Sequence, residues 1–254
     1  MKYFLSTALI FAIALISSLN AYSQTELTLL APGSAKDALE QIVSGFETQT
    51  GYKVKAAFAS GGKVKQQVIQ GGAFDVSILQ LPLDEVLASG NVAASSQTAV
   101  ARVAVGVAVK KGAPKPDIST PEAVKRMLLA AKSISYPDPA VGGASAVSFQ
   151  ETMKKLGITE QMQPKIKLSA GGSVSMEMTA NGEVEMGLIF VSEMVNPGID
   201  IVGELPVEIS TPTTFYGFVS SHTKNSAAAQ ALLDYLASPA AAAGYKAARM
   251  SPAH

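Results

Sequence analysis

The chain has 254 residues, 20 basic and 20 acidic side chains, no cysteine and no tryptophan. The absence of Cys excludes disulfides, thiolate catalysis, Cys metal sites and a lipid anchor on a Cys. Balanced charge argues against a nucleic-acid partner, which would leave a basic footprint, and against a polybasic membrane surface.

Lys2, the apolar run 8–19 (ALIFAIALISSL) and the small residues of Ala21-Tyr22-Ser23 form the pattern of a secretory signal peptide cut before Gln24. The run is too short to span a bilayer, and no other stretch of the sequence is long and apolar enough. Removal of 1–23 takes away Lys2, leaving 19 basic against 20 acidic residues and a net charge of −1. The expected location is periplasmic, with no membrane insertion once the leader is gone. About 230 residues remain, enough for one large or two modest domains.

Leu27 to Ala31 reads as a short apolar strand. Ala35, Ala38, Leu39, Ile42, Val43 and Phe46 then keep a helical period, and Gly51 sits where a left-handed cap is wanted. Val54, Ala56 and Phe58 alternate along a strand from Lys53 to Ala59. A short helix from Lys63 to Gln70 leads through Gly71-Gly72 to a strand from Asp75 to Gln80. Such alternation predicts a mostly parallel sheet covered on both faces. Val103, Val105, Val107 and Val109 share one face of a long strand from Arg102 to Val109, and Pro121 opens a helix at its first position.

The pattern resumes with a strand at Ile134 to Tyr136, a helix to Leu156, a strand near Lys165 to Leu168 and a short helix to Asn181. Met186 to Val191 is an apolar buried strand, Thr213 to Val219 a second long one, and helices around Ala227 to Leu236 and Pro239 to Ala248 follow. This order predicts two α/β lobes, each a mostly parallel sheet flanked by helices and joined by two crossover strands. Lobe one takes 24–100 and 205–254, lobe two 101–204. The alternative is a single doubly wound sheet.

One unit recurs four times: a strand, a loop of Gly and Ser, then an amphipathic helix. It appears at Leu27 to Leu39, Ala56 to Val68, Ser133 to Phe149 and Lys165 to Met178. Each helix starts with free backbone N–H groups and about half a positive charge from its dipole. Several such ends facing one cleft form an anion site that needs few formal charges. Ligands in open α/β sheets bind beyond the carboxyl ends of strands, where these loops lie. The candidates are Ser34, Ser60, Gly61, Gly142, Gly143, Ser173 and Val174. Lys36 and Lys63, within the first turns of two helices, are candidate charge support.

No catalytic constellation assembles. His222 lies in a polar turn and His254 is the last residue. No His, Cys or carboxylate spacing suits a metal. The methionines fall at core-filling positions, and no GxxxxGK[ST] supports a nucleotide site. The expectation is a chain with no catalytic residues, no cofactor and no metal ligands.

At these loops the sequence resembles the molybdate-binding branch of the type II periplasmic solute-binding proteins, which serve ABC importers. The likeness covers nearly all of the chain after the leader. It is carried by FASGGKVKQQVIQGGAFDVSIL (58–79), by PDP before the third loop, by NGEVEMGLIFVSE (181–193) and by ALLDYLASPAAAAGYKAAR (231–249). It implies the two-lobed type II fold and a small oxyanion, molybdate or tungstate, held by Ser34, by the second loop and by backbone N–H groups of the third loop and near Val174. It also implies an ABC permease of the inner membrane as partner. The chain departs from the family where Gly61 replaces a Ser, Val141 a Pro and Phe190 a Tyr. Two hydroxyl donors are thereby absent. Gly61 and Phe190 keep open a receptor for a small organic anion, a carboxylate or a phosphorylated metabolite. Further alternatives are a secreted Ser hydrolase using Ser34 or Ser60, and an adhesion or signalling module.

Overall fold

Strand membership divides the chain between two sheets. A computed structural model describes residues 25–141 and 143–253, so the leader, Gln24, Gly142 and His254 lie outside the described residues. The first part runs β1 (Glu26–Pro32), α1 (Lys36–Thr50), β2 (Lys53–Ala59), α2 (Gly61–Ile69), β3 (Val76–Gln80), α3 (Asp84–Ala88) and β4 (Thr98–Val103). The second runs β5 (Val105–Lys110), α4 (Pro121–Ala130), β6 (Ile134–Pro137), α5 (Ala144–Leu156), α6 (Thr159–Met162), β7 (Ile166–Ser169), α7 (Gly172–Asn181), β8 (Met186–Phe190) and β9 (Ile199–Glu204). The chain then returns with β10 (Thr213–Val219), α8 (Ser226–Leu236), α9 (Ala242–Ala247) and β11 (Ser251–Pro252). Sheet one has the order β11-β4-β10-β3-β1-β2, and sheet two β7-β6-β8-β5-β9. The fold is thus α/β with two lobes, each a sheet flanked by helices.

The strand expected from Arg102 to Val109 is two strands in different sheets. It breaks at the buried Ala104, where the chain passes between lobes. The sheets are also less parallel than the alternation suggests. β1 pairs with β2 and β3 in parallel, and β6 with β7 and β8. β10 is antiparallel to both β3 and β4, and β5 to both β8 and β9. The reason is topological. β3 and β8 end at the junction between lobes, whereas β5 and β10 have just crossed it and begin there. A strand that enters a sheet from the junction must run against those that lead to it.

Helices cover both faces of sheet one. Leu27, Leu29 and Ala31 of β1 join the core under α1 and α8, while Leu30 joins a smaller cluster with Val64, Val68, Leu79 and Phe218. This is the two-residue period of a strand buried on both sides. In lobe two, Phe149 of α5 packs edge-on to Tyr136 of β6, ring centroids 5.2 Å apart. At the junction, Phe190 ends β8 and meets Phe215 of β10 at 6.5 Å.

Candidate functional site

Four of the parallel strands, β1, β2, β6 and β7, stop at the junction, each followed by a turn of Gly, Ser, Ala or Pro and a helix. Their turns surround one chamber of about 230 Å³ between the lobes. On the lobe-one side, Pro32, Gly33 and Ser34 follow β1, and Ala59, Ser60 and Gly61 follow β2. Opposite, Pro137, Gly143, Ala144 and Ser145 follow β6, and Ala170, Gly171 and Gly172 follow β7. The first N–H groups of α2, α5 and α7 have no partner within their helices, and these turns hold them at the chamber. Pro32 closes β1 because it has no N–H to give the ladder.

The expected site residues divide. Ser34, Ser60, Gly61, Gly143 and Phe190 all line the chamber. Ser34 makes no side-chain cap to the helix that follows. Its carbonyl accepts a hydrogen bond from Ser192 Oγ at 2.7 Å, a link between the lobes. Ser60 Oγ caps α2 by accepting from the Lys63 N–H at 3.4 Å. Gly142 lies outside the described residues. Ser173 and Val174 are exposed and absent from the chamber wall, because the first turn of α7 directs their side chains outward and leaves Gly171 and Gly172 on the inside.

Neither Lys36 nor Lys63 lines the chamber. Both are exposed on the solvent faces of their helices. Lys36 is held by Glu40 one turn on, at 2.7 Å, and its ammonium sits 5.9 Å from the Phe58 ring centre. Among the described residues, the cation that comes nearest in role is Lys65. It lines an adjoining outer chamber of about 450 Å³ and donates to the Pro82 carbonyl at 2.7 Å. Burial lowers its pKa. Gln80, Gly61, Gly143 and Ala144 border both chambers.

Two side chains on the wall were missed by the sequence reading. Gln80 ends β3. It is buried, and its Nε2 has no hydrogen-bond partner among the described residues. A buried donor without an acceptor is costly, and the chamber is where an acceptor would sit. Glu193 follows β8. Its carboxyl lies over the start of α7, so close that a methyl group added at Gly172 would stand 2.8 Å from Oε1. Neither ion pair among the described residues involves it. Burial raises its pKa to about 7. Gln80 is the last residue of a strand that ends at the junction, and Glu193 follows another. The rule that ligands sit beyond strand carboxyl ends, applied to every strand rather than to Gly-rich turns alone, names them.

His222, by contrast, is remote from the chamber and pairs with Asn91 Oδ1 through Nε2 at 2.8 Å. Among the described residues no helix is long and apolar enough to cross a membrane.

Comparison with known proteins agrees with this architecture. The family model described as bacterial extracellular solute-binding protein matches residues 27–248. An aconitate isomerase from a Pseudomonas species is 32% identical over 242 residues, covering 92% of this chain and 90% of that one. The molybdate-binding protein ModA of Azotobacter vinelandii is 30% identical over 210 residues, covering 80% and 81%. The solved structure of the periplasmic molybdate-binding protein of Azotobacter vinelandii superposes with a TM-score of 0.71 at 20% identity over 88% of this chain and 98% of that one, a likeness of fold. A matching family model over most of the chain, two relatives of 30% identity or more and one shared fold converge: the chain belongs to the bacterial extracellular solute-binding proteins, in the molybdate-binding-protein-like branch of the type II periplasmic fold.

Proposed function

We propose that the chain is a periplasmic receptor that takes a small organic anion carrying carboxylates between its lobes and delivers it to an ABC permease of the inner membrane. The observation that carries this reading is the mixed wall of the chamber. Hydroxyls and helix N-termini on the turns suit anionic oxygens. Pro32, Pro137, Ala59, Ala170 and Phe190 offer apolar surface between them. A carbon skeleton with carboxylate ends satisfies both. An inorganic tetrahedral oxyanion has no apolar part to cover that surface. Size points the same way. At about 30 Å³ per water, the inner chamber holds more than a five-atom ion requires, and it opens past Gln80 into the larger one. The relative named as an aconitate isomerase supports a carboxylate ligand.

A second reading, molybdate or tungstate, is favoured by the convergence of uncharged donors and by the ModA relative. Phe190, however, gives such an oxyanion no hydroxyl, only apolar surface. Calorimetry separates the two. The protein is titrated with trans-aconitate, cis-aconitate, succinate, molybdate, tungstate, sulfate and phosphate. The carboxylate reading expects saturable heats with one or more organic acids and weaker ones with the oxyanions. Tight molybdate binding with no response to any organic acid reverses it.

A further inference from the structure

Glu193 is an unexplained group in a receptor. An ionised carboxyl on an anion-binding wall opposes the charge of the ligand. Here one carboxyl stands at the start of α7, with no cation paired to it among the described residues, at a chamber whose other polar groups are hydroxyls, amides and backbone N–H groups. Among the described residues it is the only ionisable side chain on the inner wall.

Resting on the carboxylate reading, we propose that the chamber also carries out a reaction on its ligand: Glu193 moves a proton between two carbons of an unsaturated di- or tricarboxylate, shifting its double bond. In the step, the Glu193 carboxylate removes a proton from a methylene carbon next to a ligand carboxylate. The released C–H electron pair forms a new C=C bond with the neighbouring carbon. The former double-bond pair moves to the far carbon and delocalises into the carboxylate there. The carboxylic acid of Glu193 then returns the proton to that far carbon. One C–H bond breaks and one forms, the double bond moves by one position, and no electron, cofactor or water is consumed.

The surroundings fit the demands of such a step. Negative charge grows on ligand carboxylate oxygens as the proton leaves. Preorganised donors aimed at that charge are the usual source of rate enhancement. The first N–H groups of α2 and α5, which have no acceptor within their helices, the hydroxyls of Ser34 and Ser145, and the unpaired Nε2 of Gln80 are such donors. A base works best when its pKa lies near the operating pH, and burial holds Glu193 at about 7. One carboxyl that both takes and returns the proton needs no second acid on the wall.

The test uses the wild-type protein and the Glu193→Gln and Glu193→Asp variants, with trans-aconitate and cis-aconitate as probes. Calorimetry gives binding. Proton NMR in D₂O gives the isomer ratio and the loss of carbon-bound protons. Wild type is expected to bind at least one isomer and convert it. Glu193→Gln is expected to bind within tenfold of wild type but to convert at least about a hundredfold more slowly, the usual worth of general acid–base catalysis. Glu193→Asp, which keeps the carboxyl, is expected to fall between them. Conversion unchanged in Glu193→Gln overturns the proposal. So does binding by wild type with neither conversion nor deuterium uptake, which leaves the receptor reading standing. Binding of neither isomer by wild type while succinate binds overturns the proposal alone. Failure of every organic acid removes the carboxylate reading with it.

Discussion

The two walls of the chamber are built from the same strand–turn–helix unit, yet they offer a ligand different chemistry. The lobe-one wall, from Pro32 to Ser34, Ala59 to Gly61 and Gln80, presents hydroxyl, amide and backbone donors without an ionisable group. The lobe-two wall sets Phe190 and Glu193 beside its glycines. On the proposed reading, the shared unit serves anionic oxygens in general, and the two side chains that only one wall carries are the ones proposed to discriminate among ligands. Recognition of charge is then repeated in both halves, and recognition of identity is concentrated in one.

The contrast is broken most severely by loosening lobe two. Phe149 is fully buried beneath the third turn, against Tyr136. Phe149→Ala should cost about 3–5 kcal/mol and abolish ligand binding, although every lobe-one group is intact. Thermal unfolding and calorimetry check both. Full affinity in the variant would mean that lobe one holds the ligand alone.

Next in size is the effect of pH through Glu193. Its pKa in the folded chain, about 7, lies above its value when unfolded, the usual 4.5. Between those values the folded state binds more protons than the unfolded one, so stability falls as pH rises from 4.5 to 7 and stays reduced above. The contribution reaches at most about 3 kcal/mol. Melting curves at pH 5 and pH 8 should show wild type losing more stability over that interval than Glu193→Gln. Equal losses would place the titrating group elsewhere.

Smaller effects sharpen the comparison. Ser34→Ala removes a hydroxyl from the lobe-one wall and should weaken an anionic ligand by about 1.5–3 kcal/mol, roughly ten- to a hundredfold in Kd. Ser192→Ala deletes the link from lobe two to the Ser34 carbonyl. Its expected cost is about 1 kcal/mol, read as a few-fold rise in Kd with unchanged enthalpy of ligand contact. Lys36→Ala should change neither affinity nor melting temperature measurably, since the ammonium is exposed, paired with Glu40 and away from the chamber.

Local patterns carried most of the fold. The helical period from Ala35 to Phe46 became α1, and alternation from Lys53 to Ala59 became β2, residue for residue. The break at Ala104 left no trace because valines continue in phase on both sides of it, and a change of sheet alters long-range pairing without altering local periodicity. Antiparallel pairing of β5 and β10 escaped for the same reason. At the site, Ser34, Ser60, Gly61 and Gly143 were readable because a Gly/Ser turn after a strand announces itself. Ser173 and Val174 were not separable from Gly171 and Gly172 by sequence, since which residues of a first turn face inward depends on how α7 docks. Gln80 and Glu193 gave no motif. A polar residue at the end of an apolar strand is ordinary until its neighbours across the junction are known.

One residue, Ala104, spans the lobes on one side, whereas the return path from Glu204 to Thr213 is longer. A joint with one very short strap and one looser strap permits swinging but little sliding. Were the halves to part and meet again, the same turns would come back opposite one another. The alignment of donors against Glu193 is therefore written into the backbone wiring, and a single inserted residue at this pivot would scramble the pocket while sparing every group that forms it.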